Sequence, residues 1–311
     1  MDGSFSYPGE VSKVEVLPPR DVPLGGPRAM TVRRTLPQRG RSLIGAWCFL
    51  DHYGPDDVEI TGGMQVARHP HTGLATVSWL FTGEIDHLDS AGFAARVRPG
   101  EVNLMVAGHG ISHQEISTAE TRTLHGAQLW YALPASTRDM PPTFHHYAPS
   151  PVTVDGAEIR VFIGSLVGSV SPVPTYTPPL LGAEILLSGS LELALDSRFE
   201  HGVLLDGGSA RVDGTQVPAD HLVYLPPGRE QLSIEGEARL LLIGGEPLGE
   251  QIVMWWNFVG RNHDEIAEFR ATWQAEIGGT ADPRRFGVFP EGQPAPLPAP
   301  TLPPLRLRPR G

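Results

Sequence analysis

Cysteine is nearly missing from this chain: 311 residues contain one, Cys48. That excludes a disulfide framework within the chain and any cysteine-rich zinc or iron–sulfur site. Cys48 lies in the apolar run 44–50 and is expected to be a buried, inert thiol. Long apolar stretches are missing too. No run reaches 18 apolar residues, so no membrane-spanning helix is expected. Dense Lys/Arg blocks are also missing, and the formal charge is −11, which argues against direct binding to nucleic acid or to an anionic membrane surface. Residues 1–8 lack the charged start and apolar core of a secretory leader, so a cytoplasmic location is expected.

Glycine and proline are abundant, with 36 and 31 residues, and they favour short strands joined by tight turns. The chain therefore reads as mainly β. Segments 74–82, 84–88, 93–98, 102–107 and 126–133 are predicted strands, with a turn at Pro99-Gly100. The proline-rich stretch 134–151 reads as a connection, and the length suggests two domains. Segment 183–195 repeats the strand, Gly, strand order of 77–88, with Ser188-Gly189-Ser190 in the place of Thr82-Gly83-Glu84. Segment 217–223 likewise echoes 97–103. This self-similarity suggests two barrels of one kind, spanning 12–145 and 146–280. Asn262, with Glu265 three positions on, predicts a helix cap, and Ile266, Phe269 and Trp273 then share a face. The tail 281–311 is proline-rich and is expected to be disordered or loosely docked.

The chemistry concentrates in two short pairs. His69-Pro70-His71 is followed, 42 residues after His71, by His113-Gln114-Glu115. In a strand, residues two apart point to one face, so each pair aims two ligands at one place. Three imidazoles and a carboxylate suit a first-row transition metal. Glycine-rich loops feed both pairs, Thr61-Gly62-Gly63 before the first and 107–112 before the second, as at the mouth of a ligand cavity. The pairs do not recur in the second half. The other nine histidines read mostly as structural or surface groups, with His52, His109 and His125 the best candidates to orient the ligands from behind. His145 and His146 are adjacent and face opposite ways, so they are not read as a site. Trp79, Trp130 and Tyr131 are expected to fill the core.

At these residues the chain resembles the pirin family. The resemblance is carried by His69-Pro70-His71-Thr72-Gly73, by Pro99-Gly100, by the run 107–115 and by 125–130. Phe49-Leu50-Asp51-His52-Tyr53-Gly54-Pro55 lies upstream, and Gly245-Glu246-Pro247 with Trp256-Asn257-Phe258-Val259 lies downstream. It spans about residues 12 to 275. The resemblance implies two tandem cupin (jelly-roll) β-barrels with a C-terminal helix. It also implies one divalent metal, iron(II), in the first barrel, held by His69, His71, His113 and Glu115. Two positions depart from the family pattern: Ala75 stands where a Glu is usual, and His109 where Arg or Ser is common.

The resemblance further implies a metal-dependent dioxygenase that opens the central ring of a flavonol such as quercetin with O2, releasing carbon monoxide. Glu115 would take the proton of the 3-hydroxyl. Two alternatives stay open. One is an iron-dependent redox-sensing regulator that binds a protein partner. The other is a cupin enzyme acting on a different small aromatic hydroxy-carbonyl substrate, because fold and ligands do not set the substrate.

Overall fold

The structure is a computed structural model that describes residues 14–24 and 30–311. The leader reading of residues 1–8 falls outside the described residues. Among the described residues, no helix is long and apolar enough to cross a membrane.

The alternating and continuous apolar runs of the first half form two antiparallel sheets. Seven strands make the larger one, in the order Thr143–Tyr147, Val102–Val106, Leu74–Thr82, Thr123–Ala132, Trp47–Asp57, Thr31–Leu36, Arg20–Pro23. The smaller sheet runs Gln65–His71, Ile111–Ser117, Ile85–Asp89, Ala94–Val97. The two pack as a jelly-roll whose sheets do not close into one ring. The second half builds an eight-stranded sheet around the long strands Leu180–Ala194, Glu200–Val212 and Gln231–Gly245. Glu15–Leu17 pairs with Leu222–Leu225 and so joins that second sheet.

The expected break at Ser188-Gly189-Ser190 is not a break. Leu180–Ala194 is one continuous strand, paired residue for residue with Gln231–Gly245. Gly189 at φ +109° faces Gly236 at φ +142°, so both strands bend together without leaving register. The echo at 217–223 does coincide with a turn, between Thr215–Val217 and Leu222–Leu225, as Pro99-Gly100 turns between Ala94–Val97 and Val102–Val106.

The C-terminal helix, His263–Ile277, starts where the cap predicts. Asn262 accepts from the Glu265 amide at 2.9 Å, and Ile266, Phe269 and Trp273 are its buried residues. The tail differs from expectation, because it is packed. Phe286 and Ala299 are buried, Trp273 Nε1 donates to Leu297 O at 2.9 Å, and Ile252 and Arg310 form an antiparallel bridge. Proline-rich composition argues against a core of the segment's own, yet an extended segment whose polar groups find partners on a neighbouring surface needs none.

The halves share one apolar cluster, in which Trp47, Leu50 and Leu129 meet Phe162, Leu204 and Ile243. Trp47 Nε1 donates to Leu181 O at 3.2 Å and Gly244 O at 3.1 Å, and Trp79 stacks on Phe162 at 4.6 Å. A polar pin adds direction. Asp206 of the second half accepts at Oδ1 from His52 Nε2 and, at 2.6 Å, from His125 Nε2. The contact to Asp206 places a proton on His52 Nε2, while Nδ1 lies 3.4 Å from both Arg33 Nε and Asp220 Oδ1. These two histidines, candidates for a place behind the metal, are therefore interdomain residues.

Burial alone would raise the Asp206 carboxyl, but hydrogen bonds from His125 and His52 outweigh it and hold the group well below the carboxylate range. A folded value below the unfolded one, about 3.9, contributes stability at neutral pH that is lost as pH falls below about 4. Asp206→Ala is expected to cost about 3 kcal/mol at pH 7 by urea titration. The gap between variant and parent should narrow as the pH of the titration is taken below about 4.

Candidate metal centre

The first ligand pair ends the strand Gln65–His71, and the second lies in Ile111–Ser117. The two strands are antiparallel neighbours, with His69 opposite His113. Strand alternation turns His69, His71, His113 and Glu115 to one face, and all four are buried. The donor atoms of His69, His71 and His113 lie within 4.8 Å of one another, and those of His87, His113 and Glu115 form a second such group.

Hydrogen bonds determine which ring nitrogens are bare. His69 Nδ1 faces Ala67 O at 2.9 Å, so it carries the proton and leaves Nε2 as a lone pair. Asp89 Oδ2 lies 3.2 Å from His87 Nε2, which puts the His87 proton there. His87 Nδ1 is then an acceptor for His113 Nδ1 at 3.4 Å, and His113 Nε2 is bare. That nitrogen lies 3.0 Å from His71 Nε2. Two nitrogens bound at right angles to one ion, each at about 2.1 Å, are about 3.0 Å apart. The donor set fits a transition metal.

Electrostatics agree with that fit. Burial lowers His69 to about 4. Burial, then the charge of His69, drive His71 and His113 well below the ordinary histidine value. All three rings are neutral at pH 7, the state that ligates. Burial raises the Glu115 carboxyl, while His87 and a hydrogen bond from Ser78 at 3.2 Å oppose the rise.

Sequence reasoning missed His87. The signal was present, since His87-Leu88-Asp89 repeats the spacing of the other pairs, and Glu115 and His87 are cross-strand partners. Asp89 is not a donor toward the centre. Its Oδ1 holds the turn through the amides of Ala91 and Phe93, at 2.9 and 3.0 Å. His109, the third expected supporter, instead faces Met140 O at 3.1 Å. Ala75 is fully buried in the apolar cluster. Cys48 is buried as expected, and burial pushes its thiol up to about 12.

A cavity of about 430 Å³ opens on the imidazoles, within the range that takes drug-sized ligands. Its walls come from four parts of the chain: Phe49, Tyr53 and Trp130 of the large sheet, the ligand strands, Met254–Asn257, and Leu297 of the tail. Trp79 and Tyr131 fill the core as expected, but Trp130 lines the cavity, stacked on Phe49 at 3.9 Å and edge-on to His71 at 5.0 Å. The Tyr53 hydroxyl has no hydrogen-bond partner there, and burial keeps it protonated. Val259 donates to Thr72 O at 3.0 Å, which docks the Val253–Trp255/Phe258–Gly260 hairpin against the ligand loop. That approach requires Gly73: at φ +66°, a Cβ there would lie 2.3 Å from Val259 O.

Two family models match the chain: Pirin over residues 29–131 and the Pirin C-terminal cupin domain over 183–277. The chain belongs to the pirin family. Among pirins, a Pseudomonas aeruginosa protein provisionally named quercetin 2,3-dioxygenase PA1205 is 43% identical over 91% of this chain and 89% of its own length. The crystal structure of a quercetin 2,3-dioxygenase from Acinetobacter baumannii matches with a TM-score of 0.87 at 40% identity, over 94% of this chain and 97% of that one. The bacterial pirin YhhW from Escherichia coli, solved in complex with nickel(II), shares the fold at a TM-score of 0.59 and 17% identity, over 76% of this chain and 100% of that one. Family and donor clusters together point to a metal cofactor.

The His87–Asp89 pair should act through the His113 tautomer. His87→Ala is expected to weaken metal binding about 10- to 100-fold in a competition titration with a chromophoric chelator. Asp89→Asn should weaken it less, since an amide oxygen still accepts from His87 Nε2.

Proposed function

We propose that this pirin is a metal-dependent quercetin 2,3-dioxygenase-like enzyme, in which His69, His71, His113 and Glu115 hold one iron(II). The reading rests on one observation: three neutral imidazoles and a buried carboxylate open on an aromatic-walled cavity of about 430 Å³. The activity named for the Pseudomonas and Acinetobacter relatives supports it. We assign residues 12–145, apart from the strand Glu15–Leu17 that joins the second sheet, to the metal-binding unit, 146–280 to a second cupin without metal ligands plus the helix, and 281–311 to the tail, in a cytoplasmic enzyme.

When bound, the metal would act as Lewis acid and template for a substrate with adjacent oxygens and for dioxygen. The remaining work belongs to side chains. Trp130, backed by Phe49, offers a flat face to a planar ring, and Trp255 and Trp256 line the cavity with it. The unpartnered Tyr53 hydroxyl is a donor for a substrate oxygen. Glu115, raised by burial, is the stronger base for it and takes the proton of the flavonol 3-hydroxyl on its carboxylate. Ser78, which lies 3.2 Å from Glu115 Oε1 and 3.0 Å from Gln128 Oε1, keeps that carboxylate turned into the cavity.

The test is dioxygen consumption with quercetin on anaerobically iron-loaded protein. Uptake is expected, and Glu115→Ala and His69→Ala should each reduce it at least 100-fold. Full uptake by Glu115→Ala would refute the assigned base. No uptake by the parent protein with iron bound would refute the flavonol reading.

A further inference from the structure

The ligand strands have a back as well as a face. The alternation that turns His69, His113 and Glu115 inward turns Arg68, Ser112 and Gln114 outward. Each of these three ends on the tail. Arg68 Nη2 donates to Gly287 O at 2.8 Å, Ser112 Oγ to Phe286 O at 2.7 Å, and Gln114 Nε2 to Gln293 Oε1 at 2.6 Å. Arg68 Nε also donates to Ser112 Oγ at 2.9 Å, and the Leu297 amide donates to Arg68 O at 2.8 Å. The helix His263–Ile277 holds the other side of the tail. Glu276 accepts the Arg285 and Phe286 amides at 2.8 and 3.0 Å.

This backing meets a weak point in the sheet. The ladder between the two ligand strands is interrupted by a bulge between His113 and Glu115, so its own hydrogen bonds do not hold the spacing there. The residue before His69 and the residue before His113 are instead tied to each other and to two consecutive tail carbonyls. Both family models end by residue 277, before this segment begins.

We propose that residues 285–297 form a positioning strap of the metal centre, which fixes the spacing of the two ligand strands from behind and thereby sets metal affinity. The proposal rests on the metal-centre reading and is independent of the flavonol reading. The strap also presents Leu297 to the cavity, so it contributes to the ligand-facing wall as well as to the backing.

Gly287→Val tests it without replacing a residue of either ligand strand. Gly287 has φ +73°, and a Cβ there would lie 2.8 Å from Ser90 Cβ, so valine displaces the strap. Cobalt(II) is the probe, read both by its dissociation constant and by its visible ligand-field spectrum. The variant is expected to bind cobalt(II) about ten-fold or more weakly, with a shifted spectrum and an unchanged far-UV circular dichroism. Leu305→Ala, at an exposed tail position, should match the parent protein. Parent-like affinity and spectrum in folded Gly287→Val would overturn the proposal alone. No cobalt(II) binding by the parent protein would overturn the metal-centre reading and this proposal with it. Should Gly287→Val not fold, hydrogen exchange on the parent protein decides. Coupling is reciprocal, so metal loading must slow exchange of the Leu297 amide. Equal rates with and without cobalt(II) would overturn the strap.

Discussion

Side chains of a strand alternate between two faces, and in the strands Gln65–His71 and Ile111–Ser117 both faces are committed. Inward positions carry the imidazoles and Glu115. Outward positions carry Arg68, Ser112 and Gln114, which bind the tail. A slip of one residue would exchange the two sets. Register is therefore held from both sides, by burial of the ligands and by hydrogen bonds to a segment that crosses behind them. The bulge after His113 interrupts the ladder between the two strands, and in the proposed strap the outer contacts span that interruption.

Burial selects the chemistry of the centre. A buried imidazole stays neutral, and a neutral imidazole has a lone pair to give. The proton that remains on each ring must be placed on the far nitrogen. Ala67 O does this for His69, and the His87–Asp89 pair does it for His113. The pin at Asp206 uses the same residue types to a different end. There two ring N–H groups converge on one carboxylate oxygen, and Arg239 lies 3.6 Å from the other. Donors already fill that carboxylate. At the centre, by contrast, the bare His113 Nε2 lies 3.0 Å from His71 Nε2.

What was legible in the chain follows from how local its signal is. The His-x-His and His-x-Glu pairs were legible because a period of two brings their side chains together within one strand. The strand Leu74–Thr82 and the cap at Asn262 were legible for the same reason: pattern and cap are local. His52, His125 and Asp206 meet only through the packing of the two halves, and no spacing within the chain announces that. His87 carried the right pattern, but Asp89 reads equally as a turn residue, and it is one. Trp130 was read as core because aromatic side chains more often fill a barrel core than face a ligand. In a buried strand both faces look alike in sequence, and only the sheet opposite decides which one borders a cavity. The tail was misread because composition reports what a segment can bury and not which surface it can borrow.

The second cupin contributes to the site without supplying a ligand. Met254, Trp255, Trp256 and Asn257 reach the cavity from a hairpin that follows the eight-stranded sheet, and Leu297 reaches it from the tail. Their positions depend on the docking of the hairpin at Gly73, on the helix that grips the tail, and on the shared apolar cluster around Trp47. A first half cut free of these parts would keep its four inward side chains and lose the hairpin and tail walls around them. The second half thus shapes the cavity through the hairpin and the tail, although the paired His-x-His and His-x-Glu pattern is confined to the first half.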